Sequence, residues 1–246
     1  EVEGDIEQAK QGLITELDDR KNYIIRRSTN LSKQSHILAA NIDQVALLVT
    51  IKHPETSTTF IDRLLATAEA YSVPAILIFN KVDLLTTEEH EQLGELRALY
   101  ESIGYHTVAI SAKYDDIEDL KQEFIGKTTL LSGNSGVGKS TLLNAIFGQT
   151  LTRTADISQA HDKGMHTTTF SEMYFLVDGA IIDTPGVKGF GTLDMQKEEV
   201  GHYFREIFAL SRNCRYSNCL HCGEPGCAVL PEVGNRIAES RFDSYL

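Results

Sequence analysis

The sequence has 246 residues, 41% of them hydrophobic and 24% charged, with a formal net charge of -12. That length accommodates one α/β domain of ordinary size plus small accessories, and the acidic balance excludes a protein that coats nucleic acid indiscriminately. No apolar run approaches the ~20 residues needed to cross a bilayer and no charged-then-apolar leader is visible, so a cytoplasmic monomer without membrane association is expected, with a missing N-terminal piece allowed for because the first residue is Glu1.

Residues 11–39 read as β-rich, with strand-like runs at 12–15 and 23–26. From Arg20 to Lys33 the chain carries Arg20, Lys21, Arg26, Arg27 and Lys33 and no acid, which reads either as a solvated strand face or as a patch facing phosphates. From about residue 41 strands and helices alternate. The apolar run at 45–51 predicts a strand buried on both faces. A helix at 59–71, a strand at 75–79, a helix at 87–103 and a strand at 107–110 come after it. Next are a short helix at 117–124, a strand at 128–131 and a helix at 139–147. Residues 148–169 are polar and aperiodic, and a loop of that length in a compact domain usually serves function. Strands at 173–177 and 180–182 flank Asp178-Gly179, a hairpin signal. Beyond Gly191 the pattern turns helical and then cysteine-rich. Repeated strand–helix units predict a mostly parallel sheet with helices on both faces.

Gly133, Asn134, Ser135, Gly136, Val137, Gly138, Lys139 and Ser140 fit the phosphate-loop pattern GxxxxGK followed by Ser or Thr, between a strand and a helix that continues with Thr141. Glycines let backbone N–H groups turn inward around phosphates, and the helix N-terminus adds its positive dipole end. Lys139 would reach the β- and γ-phosphates, and the Ser140 hydroxyl would ligate Mg²⁺. Asn80, Lys81 and Asp83 form NKxD directly after an apolar strand. A carboxylate there accepts from guanine N1–H and its exocyclic amine, whereas adenine would leave it unpaired. Asn80 would brace neighbouring loops while the Lys81 stem covers the base. Ser111, Ala112 and Lys113 end the next strand and would offer a backbone N–H to guanine O6. In Asp183-Thr184-Pro185-Gly186 the carboxylate suits Mg²⁺ and the Gly186 N–H suits a γ-phosphate. Within His166-Thr167-Thr168-Thr169 a threonine, Thr168 by the usual spacing, would complete the Mg²⁺ shell.

The order of these motifs is unusual. An ordinary small GTPase runs phosphate loop, switch threonine, DxxG, NKxD, SAK. Here NKxD and SAK precede the phosphate loop, so the domain reads as circularly permuted. The DTPG segment then leads directly into the C-terminal region, and movement on loss of the γ-phosphate is expected to pass there. Val187 comes directly after DTPG, where many GTPases place a water-orienting glutamine. Slow intrinsic hydrolysis is expected, with His166 the nearest group in sequence to assist. All four cysteines lie between Cys214 and Cys227; Cys214, Cys219, His221 and Cys227 have the count and softness of a closed zinc site, with Cys222 an extra sulfur that spacing does not exclude.

NKVD before GNSGVGKS, then HTTT, DTPG and the cysteine cluster, together with Lys21-Asn22, the stretch 40–45 and Glu224-Pro225-Gly226-Cys227, resemble the ribosome small-subunit-dependent GTPase A family (RsgA, also called YjeQ). The resemblance implies a partial OB-fold over 1–39, a permuted GTPase domain over 40–192 and a helical zinc-binding domain over 193–246. It implies GTP hydrolysis to GDP and phosphate, stimulated by the small (30S) subunit and its rRNA late in subunit assembly. It also implies Cys214, Cys219, His221 and Cys227 as ligands of one structural Zn²⁺, leaving Cys222 aside, and His166 as the group that activates water. An OB barrel would give the basic cluster at 20–33 an RNA-facing role. Members commonly have Arg before that histidine, and this chain has Met165. A nucleotide-gated binding module with negligible turnover, marked by Val187, stands as the alternative; an ATP-using enzyme is disfavoured by Asp83.

Overall fold

The structure, a computed structural model, describes residues 2–3, 13–27, 35–148, 171–184 and 195–246. The N-terminal stretch forms two separate antiparallel pairs: β1 (Val2–Glu3) with β2 (Leu13–Ile14), and β3 (Tyr23–Arg27) with β4 (Ser35–Ala40). Strand β4 escapes prediction because its sequence, SHILAA, lacks a β-branched run; its pairing with β3 supplies the order that propensity does not. The β3–β4 pair is fastened to the central domain. Ile24 and Ala39 are buried in the main core, and the Asn22 side chain donates to Ile42 O at 2.7 Å and accepts from Ile42 N at 2.8 Å.

Among the described residues six strands form the central sheet, ordered β7-β6-β5-β8-β10-β9, with β5 (Gln44–Val49), β6 (Ala75–Phe79), β7 (His106–Ala109), β8 (Lys127–Ser132), β9 (Glu172–Phe175) and β10 (Gly179–Asp183). Every ladder is parallel except β9–β10. All six residues of β5 are buried, which its unbroken apolar sequence requires. On one face Val45, Leu47 and Val49 pack with Leu64 and Leu65 of α1 (Thr58–Ala70) and Leu93 and Tyr100 of α2 (Thr87–Ser102). On the other, Ala46 and Leu48 pack with Leu120 of α3 (Glu118–Gln122) and Leu142 and Leu143 of α4 (Lys139–Phe147). Local chemistry sets the helix starts: Ser57 accepts from Phe60 N ahead of α1, and Thr86 with Glu89 makes a capping box ahead of α2. The predicted elements from 45 to 147 all occur, with no end shifted by more than two residues. Strand β8 sits between β5, the first strand of the sheet in chain order, and β10, its last, so the chain-order permutation leaves a doubly wound sheet whose parallel strands share one carboxyl edge.

The C-terminal region contains α5 (Lys197–Val200), α6 (Arg205–Ser211) and α7 (Glu239–Tyr245) around a small core of Phe204, Ile207, Leu210, Val229, Ile237 and Phe242. That core includes Ala66 of α1, so the module rests on the central domain. Among the described residues no helix is long and apolar enough to cross a membrane.

Candidate nucleotide site and metal centre

The carboxyl ends of β6, β7 and β8 deliver three loops to one place, and Asn80 ties them together. Its backbone N–H donates to Val49 O at 2.8 Å. Its side-chain amide donates to Val137 O in the phosphate loop at 2.9 Å and accepts from Ala112 N at 2.9 Å. Asn80 is only 4% exposed, so both contacts form away from water, where an unmade one would be costly. The packing fixes the neighbouring glycine as well: at Gly138 (φ 103°) an added Cβ would lie 2.4 Å from Asn80 Nδ2. At Gly133 (φ 150°) it would lie 2.3 Å from Leu48 O. No side chain fits either place.

Asp83, exposed at the cleft mouth, lines the pocket with Asn80, Lys81, Ala112, Lys113 and Thr141. Leu84 and Tyr114 line it too, and sequence reasoning missed both, since neither belongs to a motif. Lys81 has left-handed backbone (φ 64°) and stretches its ammonium to Gly136 O at 2.7 Å and to His53 O. Burial lowers its pKa, with Asp83 opposing. Within the segment 111–113, Ser111 N donates to Asp115 at 2.6 Å while Ala112 N is held by Asn80.

Lys139 opens α4 and folds back over its own loop, donating to Gly133 O at 2.7 Å and Asn134 O at 3.1 Å. Burial lowers its pKa, and Asp183 pulls the other way. Asp183 ends β10, paired in register with Leu131 beside the phosphate loop. One of its carboxylate oxygens, Oδ1, is buried with no hydrogen-bond partner among the described residues. Burial raises its pKa to about 6, Lys139 opposing and Glu172 reinforcing. A buried, orphaned carboxylate oxygen next to a cradle of backbone N–H groups has the chemistry of a hard-cation ligand. Ser140 and Thr141 come after Lys139 in the first turn of α4.

In the C-terminal module Cys214, Cys219, His221 and Cys227 bring their ligand atoms within 4.8 Å of one another. His221 Nδ1 lies 3.7 Å from Cys214 Sγ and 3.5 Å from Cys227 Sγ, close to the edge of about 3.5–3.8 Å that tetrahedral zinc bond lengths dictate. Ala228 N donates to Cys214 Sγ at 3.3 Å and Leu230 N to Cys227 Sγ at 3.4 Å, contacts that favour thiolates. The Glu224 carboxylate accepts from Leu220 N and Cys222 N, both at 2.8 Å, and so shapes the knuckle. Burial holds the His221 pKa below the usual imidazole range, which keeps the ring neutral as a ligand requires. Cys222 is exposed and donates to Leu220 O at 3.2 Å, outside the cluster.

His166, Thr168, Gly186 and Lys33 lie outside the described residues, as do Thr167, Val187 and the segment joining DTPG to the module. Arg20 and Lys21 are exposed; Arg26 and Arg27 lie on β3.

A doubly wound sheet whose NKxD strand precedes its phosphate-loop strand, with the two loops stapled by Asn80, defines a circularly permuted P-loop GTPase. A family model described as RsgA GTPase matches residues 17–193. A Phocaeicola vulgatus protein named "Small ribosomal subunit biogenesis GTPase RsgA" is 60% identical over 237 residues, 95% of this chain and 76% of its own length. A Bacteroides fragilis protein of the same name is 58% identical over 244 residues, 98% of this chain and 79% of its own. The crystal structure of YjeQ from Thermotoga maritima superposes with a TM-score of 0.76 at 36% identity, covering 95% of this chain and 76% of that one. That of YloQ, titled a circularly permuted GTPase, gives 0.76 at 30% identity over 99% of this chain and 75% of that one. The chain belongs to the RsgA GTPase family.

Proposed function

We propose that this GTPase binds the small ribosomal subunit and hydrolyses GTP to GDP and phosphate late in that subunit's maturation, its turnover stimulated by rRNA. The observation that supports the nucleotide reading is the Asn80 staple, three positions ahead of Asp83, whose side chain bonds Val137 in the glycine-rich loop and Ala112 in the segment 111–113. In this reading 1–39 is an RNA-facing unit, 40–192 the GTPase domain and 193–246 a zinc-binding module.

Asp83 would select guanine by accepting from N1–H and the exocyclic amine, with the Lys81 stem beside the base and the segment 111–113 lending an N–H. Backbone N–H groups from Gly133 to Ser140, with Gly186, would hold the phosphates, and Lys139 would meet the charge that develops on the transferred group. Ser140, Asp183 and Thr168 would hold Mg²⁺, which when bound neutralises phosphate charge. His166 would orient the attacking water where Val187 offers no polar contact. Cys214, Cys219, His221 and Cys227 would hold one structural Zn²⁺, and Arg20, Lys21, Arg26, Arg27 and Lys33 would contact rRNA.

Steady-state hydrolysis of GTP with and without purified 30S subunits tests the reading. At least tenfold stimulation is expected, with the His166→Ala protein losing it. Absence of stimulation, with nucleotide binding intact, would instead favour a nucleotide-gated binding module.

The raised Asp183 carboxyl gives a pH signature. A protonated carboxyl cannot hold a cation, so the Mg²⁺-dependent gain in GDP affinity should fall about tenfold between pH 7 and pH 5 with its inflection near 6. In the Asp183→Asn protein that gain should be absent at both pH values. The same shift makes the nucleotide-free protein lose this group's stabilisation as pH climbs from about 4 through 6, because the unfolded chain ionises first. Titrations of GDP with and without Mg²⁺ at the two pH values are the measurement; equal Mg²⁺ gains at both would remove Asp183 from the metal shell.

A further inference from the structure

The loop at 50–56, between β5 and α1, belongs to none of the GTPase motifs, yet it touches both halves of the nucleotide site. His53 supplies a carbonyl to the Lys81 ammonium, and that ammonium also reaches Gly136 O at 2.7 Å in the phosphate loop. Pro54 lies against the same glycine, its Cδ 3.4 Å from where a Cβ on Gly136 would stand. Lys81 is therefore a tie between the base-reading and phosphate-holding loops, and one end of the tie is anchored on this loop.

Two buried threonines give the loop its shape. Thr50 N donates to Thr56 Oγ1 at 3.2 Å, and Thr56 N donates back to Thr50 O at 3.0 Å. The Thr50 hydroxyl donates to Pro54 O at 2.5 Å. Thr50 is 1% exposed and Thr56 8%, so these bonds have no ready replacement from solvent. The loop's own backbone favours no such closure, since His53 is held at a positive φ of 61° that a residue with a Cβ rarely adopts. The Thr50–Pro54 bond closes on the residue directly after His53.

We infer that Thr50 and Thr56 are positioning residues for guanine-nucleotide binding. They hold the His53 carbonyl where it captures Lys81, and Lys81 in turn fixes the spacing between the Asp83 loop and the phosphate loop. This rests on the proposed reading of the cleft as the guanine-nucleotide site. Neither threonine is expected to touch the nucleotide; the effect runs through Lys81.

The test is the dissociation rate of a fluorescent GDP analogue, measured by stopped flow on the full chain. Wild-type protein must first bind the analogue; if it does not, the reading of the cleft fails, and this inference falls with it. Given binding, Thr50→Val, which keeps the branched shape and removes the hydroxyl donor, is expected to release GDP about tenfold faster, the worth of one buried hydrogen bond. Thr50→Ser should stay within about twofold of wild type. In a Lys81→Met background the valine substitution should have no further effect, because the link through which it acts is already cut. Valine and wild-type proteins releasing GDP at the same rate would overturn the inference, as would a full tenfold effect persisting without Lys81. Hydrogen exchange on the unmodified protein answers the question even if the valine variant fails to fold. GDP should slow exchange at the Thr50 and Thr56 amides at least tenfold, and unchanged protection there would equally overturn it.

Discussion

Replacing Lys139 by alanine is expected to lower subunit-stimulated GTP turnover by about 10²–10³-fold while weakening GDP binding far less. The asymmetry arises from where the ammonium sits. Lys139 Nζ is already held by Gly133 O at 2.7 Å and Asn134 O at 3.1 Å, inside the loop that would surround the phosphates. Its pKa is lowered by burial rather than raised by a strong ion pair, with the Asp183 charge opposing. The charge is thus poorly compensated before substrate arrives and costs little to redirect when negative charge develops. Interactions that strengthen only in the transition state act on kcat, not on uniform binding. Lys139→Arg should not rescue turnover, because a planar five-donor fork does not fit a site shaped for a point charge. Hydrolysis with 30S subunits, alongside GDP-analogue titration, separates the two effects. Equal losses in affinity and turnover would mean that Lys139 merely binds phosphate.

How much of this was legible in sequence depended on the range of the interactions. The phosphate-loop pattern is spelled by eight consecutive residues and so was readable, although the close approaches that require its glycines come from far away in sequence, Leu48 O at Gly133 and Asn80 at Gly138. The helix starts at 59 and 87 came from apolar periodicity, and the structure adds the local caps that fix them, Ser57 ahead of α1 and the Thr86–Glu89 box ahead of α2. The four metal-ligand candidates lie within fourteen positions of sequence, although spacing alone does not separate them from Cys222, whose side chain bonds Leu220 O instead. The features that escaped have partners without a side-chain signature, or partners far away. Lys81 is anchored by backbone carbonyls of His53 and Gly136, which any residue would present. Strand β4 exists through its ladder with β3, not through its composition. The DTPG-to-module coupling expected from the permutation runs through residues outside those described, whereas the described attachment of the module lies elsewhere, on α1.

That attachment carries the second large prediction. Arg241 of α7 is buried, and its guanidinium grips Glu206 of α6 through Nε at 2.6 Å and Nη2 at 3.1 Å. Nη1 reaches Asp62 of α1 at 2.7 Å, 179 residues away in sequence. Tyr100 donates to the same Asp62 oxygen at 2.8 Å, and the guanidinium lies 4.6 Å above the Phe204 ring. Two buried carboxylates therefore depend on one cation, and Asp62 Oδ2 has no hydrogen-bond partner among the described residues. Arg241→Met keeps the apolar stem but strands both charges, so it should cost about 3–5 kcal/mol. The neighbouring Arg205–Glu69 pair, with side chains 37% and 26% exposed, is worth at most about 1 kcal/mol, so it cannot hold the module in place of Arg241. The damage should spread to the cysteine knuckle, because α7 also carries Tyr245, whose hydroxyl donates to Leu220 O at 2.7 Å. Urea unfolding combined with hydrogen exchange should find the loss concentrated in α6, α7 and residues 214–227, with the β5–β8 core retaining its protection. Adding Asp62→Asn and Glu206→Gln to Arg241→Met should recover most of the loss, since the penalty lies in the uncompensated charges rather than in the missing arginine. A triple variant as unstable as the single one would assign the effect to packing against Phe204, and the charge argument would fall.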